Sequence, residues 1–233
     1  MIPGKDEVRK KTRSFSIGFL VVLCLLVLLI LTFGAITQEI VFEKESGLDN
    51  AVYKAVSSVA SPAITHLMVA FTFFGSRTFL VPAYIIIIIF LIIKRKSKES
   101  LGIAAVALCG AVLLFLFKVI FKRERPLEPL IAKATSFSYP SGHSFSAFTF
   151  SGIIIYLIWC SSITRALKWT WSIVFFLFAF MIGLSRIYLH IHYASDVLAG
   201  SCLSFIWLTI SFYTLKHINL IPENEKRKAL KYY

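Results

Sequence analysis

Negative charge is scarce in this chain, and charge of either sign is thin. Asp and Glu number 12 in 233 residues, and all charged residues together make up 16%. Hydrophobic residues reach 58% and mean hydropathy is +0.78, which excludes a water-soluble domain. The polar stretches are too short to bury a core, so a single unit over residues 1–233 is expected. Cysteine is limited to Cys24, Cys109, Cys160 and Cys202. Each lies inside an apolar run without pairing or metal-ligand spacing, so they serve as packing residues. Internal repeats, heptad seams and low-complexity tracts are absent. The net charge of +13 is not arranged as a basic stripe with interleaved aromatics, which sets nucleic acid aside as a partner.

What the chain does have is long apolar runs. Six candidate spans, 15–37, 77–93, 100–121, 143–161, 168–187 and 193–215, fit a hydrocarbon core and predict an all-α polytopic membrane protein. The first follows Lys5, Arg9, Lys10, Lys11 and Arg13. Its roughly 20 apolar residues exceed the ~7–15 of a signal-peptide core and no small-residue cleavage site follows, so an uncleaved first span is expected. Residues 38–61, with Glu39, Glu43, Glu45 and Asp49, predict a polar outer loop with some helix. Residues 62–74 are apolar but short, and either lie against the outer mouth or lengthen the second span.

With both termini in the cytoplasm, 16 of the 25 Lys and Arg fall inside and nine outside, as the positive-inside rule asks. A cell-membrane protein with cytoplasmic termini is the expectation. Six of the nine outer cations lie in or beside three short blocks between residues 118 and 196. Positive charge kept on the disfavoured side points to an anionic ligand on that face.

The blocks are Lys118, six residues, Arg125-Pro126; Pro140-Ser141-Gly142-His143; and Ser185-Arg186, five residues, His192, three residues, Asp196. Lys118 lies in an apolar helical run, where a charge is costly and functional by default, although a snorkelling lysine at a span end has the same form. Seven residues on, close to two helical turns, Arg125 would share its face about 10 Å away, with Pro126 ending the span. Ser141 and Gly142 open a helix whose first amides can meet an anion, or form a plain cap. His192 and Asp196 at i,i+4 would share one helix face, the carboxylate fixing one imidazole nitrogen as N–H. His190 has Ala194 at the same offset and lacks that partner. A metal centre is not expected, because the other blocks offer cations rather than acids or thiols. Four separate span ends thus carry polar residues to one membrane face.

Together the blocks resemble the signature of the type 2 phosphatidic acid phosphatase superfamily, matching every defined position. The resemblance implies that His192 is the nucleophile, attacking phosphorus to form a phosphohistidine, that Asp196 orients it, and that His143 protonates the leaving oxygen. It further implies that Lys118, Arg125, Arg186, Ser141 and Gly142 bind the phosphate and that no cofactor or metal is needed. The substrate implied is a lipid phosphate reached from the outer face of the bilayer. Within the family, the short six-span form resembles bacterial phosphatidylglycerophosphatases of type B, with undecaprenyl diphosphate phosphatases as the alternative. A non-enzymatic anion channel or anionic-lipid receptor would explain the cations but not the His192/Asp196 pair with His143.

Overall fold

The computed structural model describes residues 5–43, 47–127, 129–131 and 136–221, with side chains from residue 17 onward. Lys44, Lys133 and the basic run at 226–231 lie outside the described residues. Within them the chain is helical and contains no strand. Helix α1 spans Lys5–Thr37 and runs on through a π-helical turn to Phe42. Then follow α2 (Gly47–Ser58), α3 (Pro62–Phe74), α4 (Arg77–Ile93), α5 (Ser97–Phe121), α6 (Gly142–Cys160), α7 (Arg165–Tyr188) and α8 (Ala194–His217).

Five of these helices are long and apolar enough to cross a membrane, and α3 and α4 meet the same test only as a pair. That pair is bent by 42° at Gly75-Ser76. Ser76 breaks the run because its Oγ accepts the Phe79 N–H at 3.4 Å and starts a new helix there. Segment 62–74 is therefore a separate limb that meets α4 at this bend, packed on α7, while α4 packs on α5. The polar stretch ahead of it contains α2, the short helix expected there.

Helix α6 is central and packs on α7 and α8, with α1 against α8. Ile103 and Val106 of α5, Ile153 of α6 and Leu208 of α8 form an apolar core where those three helices meet. Thr149 and Ser204 hydrogen-bond across α6 and α8 at 2.9 Å, a polar contact that lipid cannot replace. A methyl at Gly200 would come within 2.6 Å of the Ser141 carbonyl oxygen, so only glycine lets α8 approach the start of α6 this closely. On the outside, Leu31, Ile86 and Leu108 are each more than 60% exposed, a surface suited to acyl chains rather than water. Trp159, Trp169 and Trp171 gather where α6 ends and α7 begins, and the Trp159 indole donates to Ser172 Oγ at 3.0 Å. Aromatic belts of this kind sit at a membrane interface.

Candidate active site

The site forms at the opposite end of the bundle, where α5 and α7 end and α6 and α8 begin. Helix α5 stops at Phe121, because Lys122 turns left-handed with φ 47°. The helical spacing expected to put Lys118 and Arg125 on one face therefore does not apply, and Lys122 is exposed. Arg125 reaches the site from the extended segment after the helix. Its Nε donates to the Ser136 carbonyl at 2.6 Å and its Nη1 to the Ile191 carbonyl at 2.8 Å. Lys118 Nζ donates to the carbonyls of Phe137 at 2.6 Å and Ser138 at 3.3 Å. These bonds draw the 136–140 segment over the end of α5.

His192 and Asp196 do not share a helix face either. Helix α7 closes with His190 in the left-handed region at φ 53°, and the N–H groups of Ile191 and His192 both return to the Arg186 carbonyl at 3.2 Å. Helix α8 begins at Ala194, so His192 precedes it. Asp196 sits in its first turn and accepts the Tyr193 N–H at 3.0 Å, which caps the helix. Capping, not helical stacking, brings the carboxylate back toward the imidazole. Ser138 lies between them: its Oγ donates to Asp196 Oδ2 at 2.5 Å and stands 3.2 Å from His192 Nδ1. The direct His192 Nδ1 to Asp196 Oδ2 distance is longer, 3.4 Å.

The other imidazole nitrogen, His192 Nε2, lies 3.1 Å from Arg125 Nη1. A guanidinium can only donate, so Nε2 carries the lone pair and Nδ1 the proton. Burial, with His192 only 3% exposed, pushes its pKa down to about 3 against the pull of Asp196, and Arg125 and Arg186 push the same way. The ring is neutral at ordinary pH. His190, the alternative imidazole, turns elsewhere, with Nε2 3.3 Å from Ser57 Oγ and its ring 4.2 Å from that of Tyr53.

Arg186 is 5% exposed and donates to Thr72 Oγ1 at 2.6 Å, while its Nε has no partner among the described residues. His143 opens α6 half-buried, with no hydrogen bond to its ring among the described residues, and feels the charges of Arg186, Arg125 and Lys118. A methyl at Gly75 would stand 3.0 Å from His143 Cδ2 and 2.6 Å from Ile182, so the bend between α3 and α4 lies against that imidazole. Ser141 is the α6 cap. Its Oγ accepts from Ser144 Oγ at 3.1 Å and its N–H donates to the Asp196 carbonyl at 2.9 Å. The Gly142 amide lies beside Lys118, since a methyl at 142 would be 3.7 Å from Lys118 Cε.

All three blocks thus meet in one place, together with residues that sequence reasoning missed. Arg123 pairs with Asp196 at 2.6 Å and with Asp49, on α2, at 2.7 Å. Burial works against its charge, but these two carboxylates outweigh it and hold its pKa above the ordinary value. Ser138 and Thr72 were also unassigned. Only Arg123 and Ser138 carried any signal, as polar residues within or next to the blocks.

A family model for the PAP2 superfamily matches residues 99–219. The chain is 29% identical over 160 residues to phosphatidylglycerophosphatase B of Bacillus subtilis, covering 68% of this chain and 78% of that protein. It is 27% identical over 199 residues to undecaprenyl-diphosphatase of Sulfolobus acidocaldarius, covering 80% and 89%. The crystal structure of a transmembrane PAP2-type phosphatidylglycerolphosphate phosphatase from Bacillus subtilis superposes with a TM-score of 0.70 at 27% identity, over 85% of this chain and 95% of that one. With its helical bundle, its three blocks drawn together and a family match over just over half its length, the chain belongs to the PAP2 superfamily, among the membrane lipid phosphatases.

Proposed function

We propose that this chain cleaves a lipid phosphate through a phosphohistidine at His192. One observation carries the reading: three cations that no carboxylate neutralises surround a neutral imidazole. Among the described residues the ion pairs are those of Arg123 with Asp49 and Asp196, while the neutral His192 ring meets Asp196 as a hydrogen-bond partner. Lys118, Arg125 and Arg186 are held instead by carbonyls and a hydroxyl, which aim the charge without cancelling it. Such a cluster suits a dianionic phosphate.

The substrate phosphate takes over Arg125 from His192 Nε2, together with Lys118, Arg186, the Ser141 hydroxyl and the Gly142 amide. Nε2 then attacks phosphorus in line, and the leaving oxygen takes a proton from His143. Asp196, directly and through Ser138, holds the Nδ1 proton as the ring becomes positive. Water, deprotonated by His143, then attacks phosphorus, releasing inorganic phosphate and free His192. Lys118→Ala, Arg125→Ala and Arg186→Ala should each lower kcat about 10²–10³-fold, the usual cost of losing one charge-stabilising donor. Lys122→Ala should cost far less. Equal losses at all four would mean a diffuse basic patch.

The lipid tail has a place to lie. An apolar recess of about 410 Å³ is lined by Phe73, Phe79, Ile86, Phe150 and Phe175. Phe150 is seven residues along α6 from His143, about 10 Å deeper in the bundle. Similarity to phosphatidylglycerophosphatase B supports phosphatidylglycerophosphate as the substrate; similarity to an undecaprenyl-diphosphatase supports undecaprenyl diphosphate as the second reading. Phosphate release from the two lipids in matched micelles separates them, with phosphatidylglycerophosphate expected to be faster. The reverse order would select the second reading. Release from neither, nor from any other lipid phosphate, would leave the cations to an anion channel or lipid receptor.

The 16-to-9 cation split supports cytoplasmic termini and an outward-facing site. Lys54 on α2 and Lys96 between α4 and α5 are both exposed. In a cysteine-free background, Lys54→Cys should react with an impermeant maleimide on intact cells and Lys96→Cys should not. The opposite pattern would invert the topology.

A further inference from the structure

Arg123 occupies no defined position of the three blocks, yet it is tied to the nucleophile by an unbroken chain of contacts. Its Nη1 donates to Asp196 Oδ1 at 2.6 Å and to Ser195 Oγ at 2.8 Å, and its Nη2 to Asp49 Oδ2 at 2.7 Å. Both carboxylates are fully buried, and the Arg123 side chain is 14% exposed. Asp49 is fixed in turn by the Ser195 N–H at 2.9 Å and the Ser195 hydroxyl at 2.6 Å. The Tyr193 ring covers the guanidinium at 4.2 Å. The Arg123 carbonyl also accepts the Ser138 N–H at 2.8 Å, so one residue holds both partners of His192 Nδ1.

We propose that Arg123, clamped by Asp49, is a positioning residue for phosphoryl transfer, holding Asp196 so that Oδ2 faces Ser138 and His192. This inference rests on the reading of His192 as nucleophile. The two oxygens of Asp196 are divided. Oδ1 meets Arg123, while Oδ2 receives Ser138 Oγ, the Tyr193 N–H and the His192 side. Remove the guanidinium and two buried carboxylates lose their shared cation. A buried carboxylate without a partner is costly, and relief comes by rotation or by taking up a proton. Either change spoils Oδ2 as acceptor for the Nδ1 proton. Asp49 has the complementary task. Without it, Nη2 would lose its carboxylate and Asp196 alone would hold the guanidinium, leaving Arg123 less firmly set on Oδ1. Because Arg123 is engaged with carboxylates, its loss should act on the transfer step and leave phosphate binding alone.

The test uses the full-length protein in detergent, with Lys122→Ala as the exposed neighbouring control. Arg123→Met should lower kcat about 100-fold, the scale of a small misplacement of a reacting group, with the phosphohistidine forming correspondingly slowly. KM and inhibition by inorganic phosphate should stay within about threefold of wild type, since only the transfer step is touched. Arg123→Lys, which keeps the charge but cannot span two carboxylates, should recover at most about tenfold of that loss. Asp49→Asn should lose about tenfold in kcat alone, and the double variant should be no slower than Arg123→Met, as expected of two residues on one link. A kcat for Arg123→Met within about threefold of wild type would overturn the proposal, as would a loss borne by KM or additive losses in the double variant. If Arg123→Met does not accumulate in folded form, Arg123→Lys and Asp49→Asn decide by the same kcat-only signature. A wild-type protein that turns over without phosphorylating His192 would refute the underlying reading instead; phosphorylated wild type with unaffected variants would refute this inference alone.

Discussion

His192→Ala is expected to abolish hydrolysis and the trapped phosphoenzyme together. The imidazole is buried, and burial pushes its pKa down to about 3, so a neutral ring is ready to attack without first losing a proton. Its proton sits on Nδ1 against Ser138 and Asp196, and its lone pair on Nε2 faces Arg125. No other described imidazole has that arrangement, since His190 faces Ser57 and Tyr53 and His143 has no carboxylate. The loss should reach about 10⁴-fold or more, as for removal of a nucleophile that works within a catalytic set. Asp196 keeps Arg123, Ser138 and the Tyr193 amide in that variant, so the fold should persist. Asp196→Asn should be impaired less completely, because it disturbs orientation and leaves the nucleophile in place. Comparable turnover by His192→Ala on any lipid phosphate would exclude a phosphohistidine there.

His143→Ala is expected to divide substrates by their leaving group. His143 opens α6 with its ring free of hydrogen bonds among the described residues, beside the bend at Gly75. A proton donor matters most when the departing oxygen is a strong base. Hydrolysis of a lipid phosphomonoester, which expels an alkoxide, should therefore fall about 10²–10⁴-fold. Hydrolysis of p-nitrophenyl phosphate, which expels a stable phenolate, should fall much less. Parallel kcat measurements on both substrates test this, and equal losses would assign His143 to binding or structure.

The spans were legible because a bilayer demands long apolar runs, and the helices lie close to where hydropathy put them. The residues of the three blocks were legible too, as cations and imidazoles that an apolar chain keeps only for a reason. Their geometry was not. Spacing suggested helical faces for Lys118 with Arg125 and for His192 with Asp196, yet both pairs straddle a helix end. Left-handed turns at Lys122 and His190 release the backbone there, and no residue type at those positions advertises it. Ser138 was overlooked because hydropathy gives a lone serine no meaning. Asp49 lies 74 residues from Arg123 and 146 from Ser195, and only the packing of α2 over the site brings them together. Segment 62–74 could not be placed from length alone; the cap at Ser76 separates it from α4 and sets the bend between them.

The central claim is that phosphate passes through His192. It is tested most directly by quenching turnover of a ³²P-labelled lipid phosphate and mapping the labelled residue. The account predicts an acid-labile, base-stable phosphoramidate on His192, forming and decaying fast enough to carry the steady-state rate. Label on His143 or His190, or steady turnover with no labelled residue, would contradict it.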